Sequence, residues 1–289
     1  AYRHSGVLIK LHKTVMQWRS LGHEVELLLV SPLPSVEIKA IDKVIVFNSI
    51  YTRFFPGFLQ KYANKILSVH RLRTFVKQYQ PDMIYYRQSI WYPGLVSCLQ
   101  LAPCVVELNT YDTGEKKQLP LISQWLYHCG RKFIIQAAAG FVSVSSEISD
   151  YYVGYGKPVI TIANGTDFSD VDLINRCTVT VKNIRPQMVF TGSPGQNWHG
   201  FDKIVGMAEK LPEFEFHLVG IKLEHSPENL KSYGYLGKDA LFMLYNEMDI
   251  GIGTLALHRK SMKEASPLKT REYAMYGLPM VIGYEDTDL

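Results

Sequence analysis

The sequence alternates short runs rich in Val, Ile and Leu with segments of helical length, and it does so twice. The first set of runs is 24–30 (EVELLLV), 44–48 (VIVFN), 83–87 (MIYYR), 104–109 (CVVELN), 141–145 (FVSVS) and 159–164 (VITIAN), with helical patterns such as 7–22 and 121–140 between them. Runs without strict in/out alternation suit strands buried on both faces, and intervening helices supply the cover, so this half predicts a doubly wound parallel sheet. After a polar, turn-rich stretch the rhythm restarts, with candidate strands at 188–193, 214–220, 233–237, 249–255 and 279–284 and helices at 201–211, 239–248 and 267–277. The expected fold is α/β: two tandem Rossmann-like domains, residues 1–165 and 187–289, joined by a linker at 166–186 and facing each other across a cleft. The chain opens on AYRHSG, a strand-to-helix loop, and stops directly after a strand. That reads as truncation at both ends, with most of the first strand and the C-terminal part of the second domain missing.

A chain of 289 residues, 47% of them hydrophobic, exceeds one ordinary domain. A net charge of +4 is too small for a dedicated nucleic-acid binder. Cys98, Cys104, Cys129 and Cys177 show no C-x-x-C spacing, which points to a reduced compartment rather than a disulfide framework. No signal-peptide pattern and no apolar run of about 18 residues is present. The expectation is a cytoplasmic protein, with peripheral contact at the inner face of the membrane.

In sheets of this kind ligands sit beyond the carboxyl ends of the strands. There stands EASPLKTRE, Glu264 to Glu272. Ser266 is a good N-cap and Pro267 suits the first helical position, which leaves the amides of Leu268 and Lys269 to meet an anion. Lys269 and Arg271 oppose the helix dipole by about 0.3–1 kcal/mol each when exposed, and a bound diphosphate would reverse that cost. Glu264 and Glu272 flank the site as acceptor-only carboxylates, suited to vicinal hydroxyls. Taken alone, the same residues also read as an ordinary solvated helix.

EASPLKTRE is followed by GLP at 277–279. SGVLIKLHKTVMQWRSLGHEV stands at the start, VSVSSEISDYY and ITIANGTDF precede the linker, and FTGSPGQNWHGFDKIV follows it. This set of motifs resembles glycosyltransferase family 4, the retaining, nucleotide-sugar-dependent enzymes of the GT-B architecture. The resemblance implies that Glu264 contacts the donor sugar and supports developing positive charge on its ring, and that Glu272 binds the ribose hydroxyls. Backbone near Ser266, Pro267 and Leu268 would meet the diphosphate, with Lys269 added on grounds of charge. In the loop from Gly192 to Gly200, Ser193 and His199 stand where the family carries Arg and Lys, and Lys203 is a candidate to supply the missing charge. Trp198 packing beneath this loop and His199 capping the next helix is the competing reading.

On the amino-terminal side, His4, Ser5 and Gly6 form the loop that in the family lies closest to the reacting groups, Gly6 allowing close backbone approach. Asn109 stands with Thr110 where many relatives have a His. Glu264, Asn109 and His4 are the catalytic candidates. Arg87 either meets an anionic acceptor or closes a structural ion pair, and Glu107 reads as a buried, paired strand residue. The implied donor is a nucleotide-diphosphate sugar and the acceptor a sugar or lipid-linked hydroxyl, in cell-surface polysaccharide or glycolipid synthesis. No resident cofactor, metal or nucleic acid is implied. Residues 51–65 mix Phe54, Phe55 and Phe58 with Arg53, Lys61 and Lys65, a pattern that suits either an anionic membrane surface or a core. Two other functions stay open: a nucleotide-sugar epimerase of the same architecture, and a non-catalytic nucleotide-sugar-binding or scaffold protein.

Overall fold

The computed structural model describes residues 6–30, 44–47, 57–110, 121–166 and 184–289. Its contacts group the chain into two compact units, one of Ala1–Glu107 with Leu119–Phe141 and one of Leu108–Gln118 with Val142–Leu289, as far as their residues are described. Most of the expected linker lies outside the described residues.

The amino-terminal half runs α1 (Gly6–Ser20), β1 (Leu27–Val30), β2 (Val44–Phe47), α2 (Gly57–Tyr79), β3 (Ile84–Arg87), α3 (Leu95–Leu99), β4 (Cys104–Leu108), α4 (Leu121–Ala137), β5 (Ala138–Ser143), α5 (Ser146–Val153) and β6 (Val159–Thr161). Strands β1 and β2 pair in parallel, and β3-β4-β5-β6 adjoin in chain order. Within β4, Val106 and Leu108 are wholly buried, in keeping with a strand covered on both faces. The helix expected through residue 140 ends at Ala137, and Ala138 to Gly140 extend into β5. Alanine favours helix, but burial of Ala138 and Phe141 in the sheet outweighs a propensity of a few tenths of a kcal/mol.

Helices α2, α3 and α4 lie side by side. Cys98 Sγ on α3 donates to the Val69 carbonyl on α2 at 3.8 Å. Gly130 of α4 backs onto Trp91, where a Cβ would come within 2.2 Å of the indole. Only glycine lets that helix approach so closely.

The carboxyl-terminal half runs β7 (Gln187–Thr191), α6 (Phe201–Lys210), β8 (Glu215–Val219), β9 (Leu230–Gly234), α7 (Lys238–Asn246), β10 (Ile250–Ile252), β11 (Glu264–Ala265), α8 (Leu268–Met275), β12 (Met280–Val281) and β13 (Glu285–Asp286). Five strands form one parallel sheet in the order β12-β10-β7-β8-β9. One face packs Phe190, Phe216 and Leu218 against Ile204 and Ala208 of α6. The other packs Val189 and Val219 against Leu244, Tyr245 and Tyr273 of α7 and α8. The sequence misses the two-residue pairing of β11 with β13 and sets β9 three residues late. Such short, late-pairing segments carry no periodicity of their own. Among the described residues no helix is long and apolar enough to cross a membrane.

Two side chains yield tests of this packing. The Asn229 amide nitrogen donates to the carbonyls of Ala208, Leu211 and Phe214, each at 3.0 Å, tying the end of α6 to the start of β9. Asn229→Ala strands these carbonyls and should lower stability by about 1–3 kcal/mol, read as a lower urea midpoint at unchanged slope. His217 lies between Tyr233 Oη and Gln187 Oε1, both at 2.7 Å. Burial first, then the nearby Lys231, pushes its pKa down to about 4. The unfolded chain titrates near 6.5, so between these values the unfolded state binds more protons and stability falls as pH falls. His217→Gln should therefore flatten the loss of stability between pH 6.5 and 4, by up to about 3 kcal/mol over that window in urea melts at several pH values.

Candidate active site

The order of the five-stranded sheet reverses at β7 and β10, because the chain moves outward from β7 to β8 and β9 and then returns to the other side of β7. Crevices at such switch points are where ligands bind in open parallel sheets. Two loops meet there. The loop after β7 carries Gly192, Ser193 and a short 3-10 turn, Asn197–His199, and the loop after β10 carries another, Leu257–Lys260. They interlock through Leu255 N–H to the His199 carbonyl at 3.2 Å, Ala256 N–H to the Trp198 carbonyl at 3.1 Å and Arg259 Nη1 to the Asn197 carbonyl at 2.9 Å. Gly220, at φ +99°, presses so closely on Gly192 that a Cβ would lie 1.8 Å from its carbonyl oxygen. A Cβ on Gly192 would in turn come within 2.7 Å of His199 Nδ1. The two glycines therefore let the loop fold down onto the histidine.

His199 does not cap α6. Gly200 occupies the N-cap without a side-chain bond, and the imidazole instead stands edge-on to Phe190 and Phe201, with centroids 5.4 and 5.7 Å away. Its Nδ1 is buried with no hydrogen-bond partner. Burial first, then the charges of Lys269 and Lys260, pushes its pKa down to about 3, against a backbone hydrogen bond at Ser193. Trp198 carries Lys260 Nζ over its ring at 3.3 Å. Lys203 donates at 2.9 Å to the carbonyl of Leu255, the residue whose N–H meets the His199 carbonyl.

The first turn of α8 departs from the exposed, doubly cationic end that its sequence suggests. Lys269 keeps part of its stem at the surface, but Nζ is buried 3.8 Å from the centre of the Phe190 ring and has no hydrogen-bond acceptor. Burial pushes its pKa well below the ordinary lysine value, offset in part by Glu272. Arg271 is buried too, but its charge is answered. Nη2 lies 2.7 Å from Asp286 Oδ1 and 3.4 Å from Asp288, and Nε donates to the Asn164 carbonyl at 2.7 Å. The Asp-x-Asp spacing at 286–288 was the available signal for this clamp. Ser266 does not cap the helix: Pro267 is the N-cap residue and makes no side-chain cap bond. Ser266 Oγ accepts from Asn164 N–H and from Arg271 Nη2, both at 2.8 Å. The first amides of α8 are thus left without a side-chain cap, as an anion-binding helix end requires.

The two glutamates are held from different sides. Glu272 accepts from Tyr245 Oη at 3.2 Å, and Tyr245 Oη shares a 2.6 Å hydrogen bond with Thr191 Oγ1 at the end of β7. Tyr273 Oη takes the Thr191 N–H at 3.0 Å. No sequence pattern points to this tyrosine pair. Glu264 accepts the N–H groups of Ser146 and Glu147 at 2.9 and 2.8 Å, so it caps α5, whose N-cap Ser145 makes no side-chain bond. Glu147 returns the arrangement by accepting the N–H groups of Lys263 and Glu264, each at 3.0 Å. A carboxylate at a helix amino end is favoured by the dipole, and each oxygen of Glu264 keeps a further lone pair.

Gly192, Ser193, His199, Lys269 and Glu272 therefore converge around Phe190 and Thr191. Arg87 forms the ion pair, 3.3 Å from Glu107 Oε1, and Lys10 joins the same carboxylate. Glu107 is 2% exposed, in line with the buried, paired reading. Asn109 follows β4 directly and is half-buried, and Gly6 opens α1. His4 and Ser5 lie outside the described residues, as do Arg53, Phe54 and Phe55. Lys65 of that same aromatic-basic stretch lies over the Tyr92 ring at 5.6 Å, with its pKa lowered by burial. Among the described residues no group of three His, Cys, Asp or Glu side chains could hold a metal ion.

Comparison with solved structures finds the same architecture at low identity. A sucrose-phosphate synthase from Thermosynechococcus elongatus matches with a TM-score of 0.69 at 12% identity, covering 96% of this chain and 75% of that one. Anabaena HepE, solved in complex with UDP and glucose, matches with a TM-score of 0.60 at 14% identity, covering 96% and 77%. A UDP-GlcNAc 2-epimerase from Neisseria meningitidis bound to UDP-GlcNAc matches with a TM-score of 0.53 at 11% identity, covering 84% and 73%. No curated protein matches. The family described as Glycosyltransferase Family 4 matches residues 6–170, more than half of the 289. With parallel α/β sheets of the GT-B kind, the chain belongs to glycosyltransferase family 4.

Proposed function

We propose that this glycosyltransferase moves a sugar from a nucleotide-diphosphate donor to an acceptor hydroxyl with retention at the anomeric carbon, and that the diphosphate sits against the first turn of α8. The observation that carries this reading is Lys269 Nζ, buried without an acceptor beside His199 Nδ1, which is likewise unpartnered. A buried polar group left unpaired costs about 1–3 kcal/mol. Phosphate oxygens between Lys269, His199, the amides of Leu268 and Lys269 and the Gly192–Ser193 backbone would supply those acceptors. The same groups would stabilise the departing diphosphate through preorganised charge and dipoles, so the mechanism invokes no metal. Glu272, oriented by Tyr245, would take the ribose hydroxyls. Glu264, fixed by two α5 amides with lone pairs to spare, would face the donor sugar. Asn109 and His4 remain the catalytic candidates of the amino-terminal part, with Ser5, Gly6 and Arg87 on the acceptor side. The acceptor class is a sugar or lipid-linked hydroxyl, in polysaccharide or glycolipid assembly at the cytoplasmic side.

Lys269→Met should separate binding from stability. It removes an unpaired buried amine while keeping the stem, so the melting temperature should hold or rise, while affinity for the preferred member of UDP, GDP and ADP should fall at least about tenfold by titration calorimetry. Unchanged affinity in a folded variant would refute the proposed phosphate site. Binding should also take up a proton, because a phosphate neighbour raises the depressed lysine pKa. Affinity in the wild type should weaken as pH rises toward the ordinary lysine value of 10.5 and stay flatter in Lys269→Met, with heats that change with the buffer's ionisation enthalpy. Turnover of donor sugar that needs no acceptor would favour epimerisation, and nucleotide binding with no turnover of any donor would favour a scaffold.

A further inference from the structure

We infer that the outer face of α2 and α4 docks on an anionic lipid surface. This goes beyond the donor site and does not rest on it. Helix α2 carries five Lys or Arg residues and α4 carries two, and neither helix contains a single Asp or Glu. Helices of this length on a water-facing surface normally mix both signs. Among the described residues no ion pair is made by Arg71, Arg73, Lys77 or Lys132.

The same face exposes large apolar groups that a water-facing helix would bury. Leu121 is 83% exposed and Trp125 63%, one turn apart on α4. On α2, Leu67 is 48% exposed. The two helices flank one segment. Lys65 and Val69 of α2 reach Tyr92 and Cys98, and Gly130 and Phe133 of α4 reach Trp91. Their free sides therefore belong to one surface.

Charge and chemistry together select the occupant. An exposed Trp and Leu amid unneutralised cations is the composition that settles at the boundary of headgroups and acyl chains, the rings and aliphatic chains entering while Lys and Arg meet phosphate. A nucleic acid would use the cations but leave Leu121 and Leu67 in water. Glu24 and Glu26 act on Tyr79 at the very end of α2, and a protein partner is not favoured by seven cations on two helices that hold no acid. The segment that the sequence alone suggests, 51–65, overlaps only the start of α2 and lies partly outside the described residues, and its Lys65 is turned inward onto Tyr92.

The test is flotation of the purified chain with vesicles of phosphatidylcholine alone and with one-quarter phosphatidylglycerol, at low and high salt and without nucleotide. We expect binding only to the anionic vesicles, weakened at high salt. Trp125→Ser and the double charge reversal Arg73→Glu with Lys132→Glu should each reduce it at least tenfold, with melting temperature and nucleotide affinity unchanged. No flotation, equal flotation with neutral vesicles, or undiminished flotation of the charge-reversed variant would overturn the inference. Binding to RNA or heparin without vesicle binding would also overturn it, in favour of a polyanion site. Because nucleotide takes no part, failure here leaves the donor reading standing, and failure of the donor reading leaves this result intact.

Discussion

A lysine amine pressed onto a phenylalanine ring, with no oxygen to accept from it, organises the carboxyl-terminal half of this protein. Lys269 Nζ over Phe190 is an expensive arrangement, since burial removes water from a charged group and the ring quadrupole returns only part of that loss. The expense is tolerated because the surrounding sheet leaves little alternative. Phe190 is fully buried on the central strand, Gly192 must fold over His199, and the loops after β7 and β10 are locked by backbone hydrogen bonds. Unpaired polar groups held this firmly are characteristic of sites shaped for a ligand rather than for stability alone.

The two cations of the α8 amino end divide the work. Arg271 is a structural clamp whose charge is spent on Asp286 and Asp288, and through Asn164 and Ser266 it fixes the segment before the helix. Lys269, two residues earlier, lies close enough to Glu272 to feel its charge but has no partner of its own. A helix end that would repel two free cations thus keeps one amine that burial pushes toward its neutral form, and the internal carboxylates neutralise the other. The reciprocal capping of Glu264 and Glu147 adds a second device, pinning the acidic residue before α8 by backbone amides of α5. Both devices draw on segments more than a hundred residues away in the chain.

Much of the architecture was legible because the parallel sheets follow from local pattern. Val- and Ile-rich runs separated by helices announce strands such as β4, β7 and β8, and these sit within a residue or two of their expected bounds. Short elements were less legible: β11 and β13 hold two residues each and exist only because they pair with each other. Ser266 shows the same limit. It has the right type and place for an N-cap, yet its hydroxyl is taken by Asn164 and Arg271, partners that no local rule names.

By itself the sequence determined the α/β class, the restart of the strand and helix rhythm in the second half, and the segment around Glu264 to Glu272 as the place where an anion and hydroxyls could be met. These follow from periodicity, capping chemistry and charge, all of which act over a few residues. Only the tertiary structure decided which cation is spent and which is held back, that Glu264 leans on α5, that His199 turns inward instead of capping, and that the exposed basic face belongs to α2 and α4. The physical reason is that burial and partnership are long-range quantities: a lysine's charge, pKa and freedom depend on which distant strand or carboxylate packs against it.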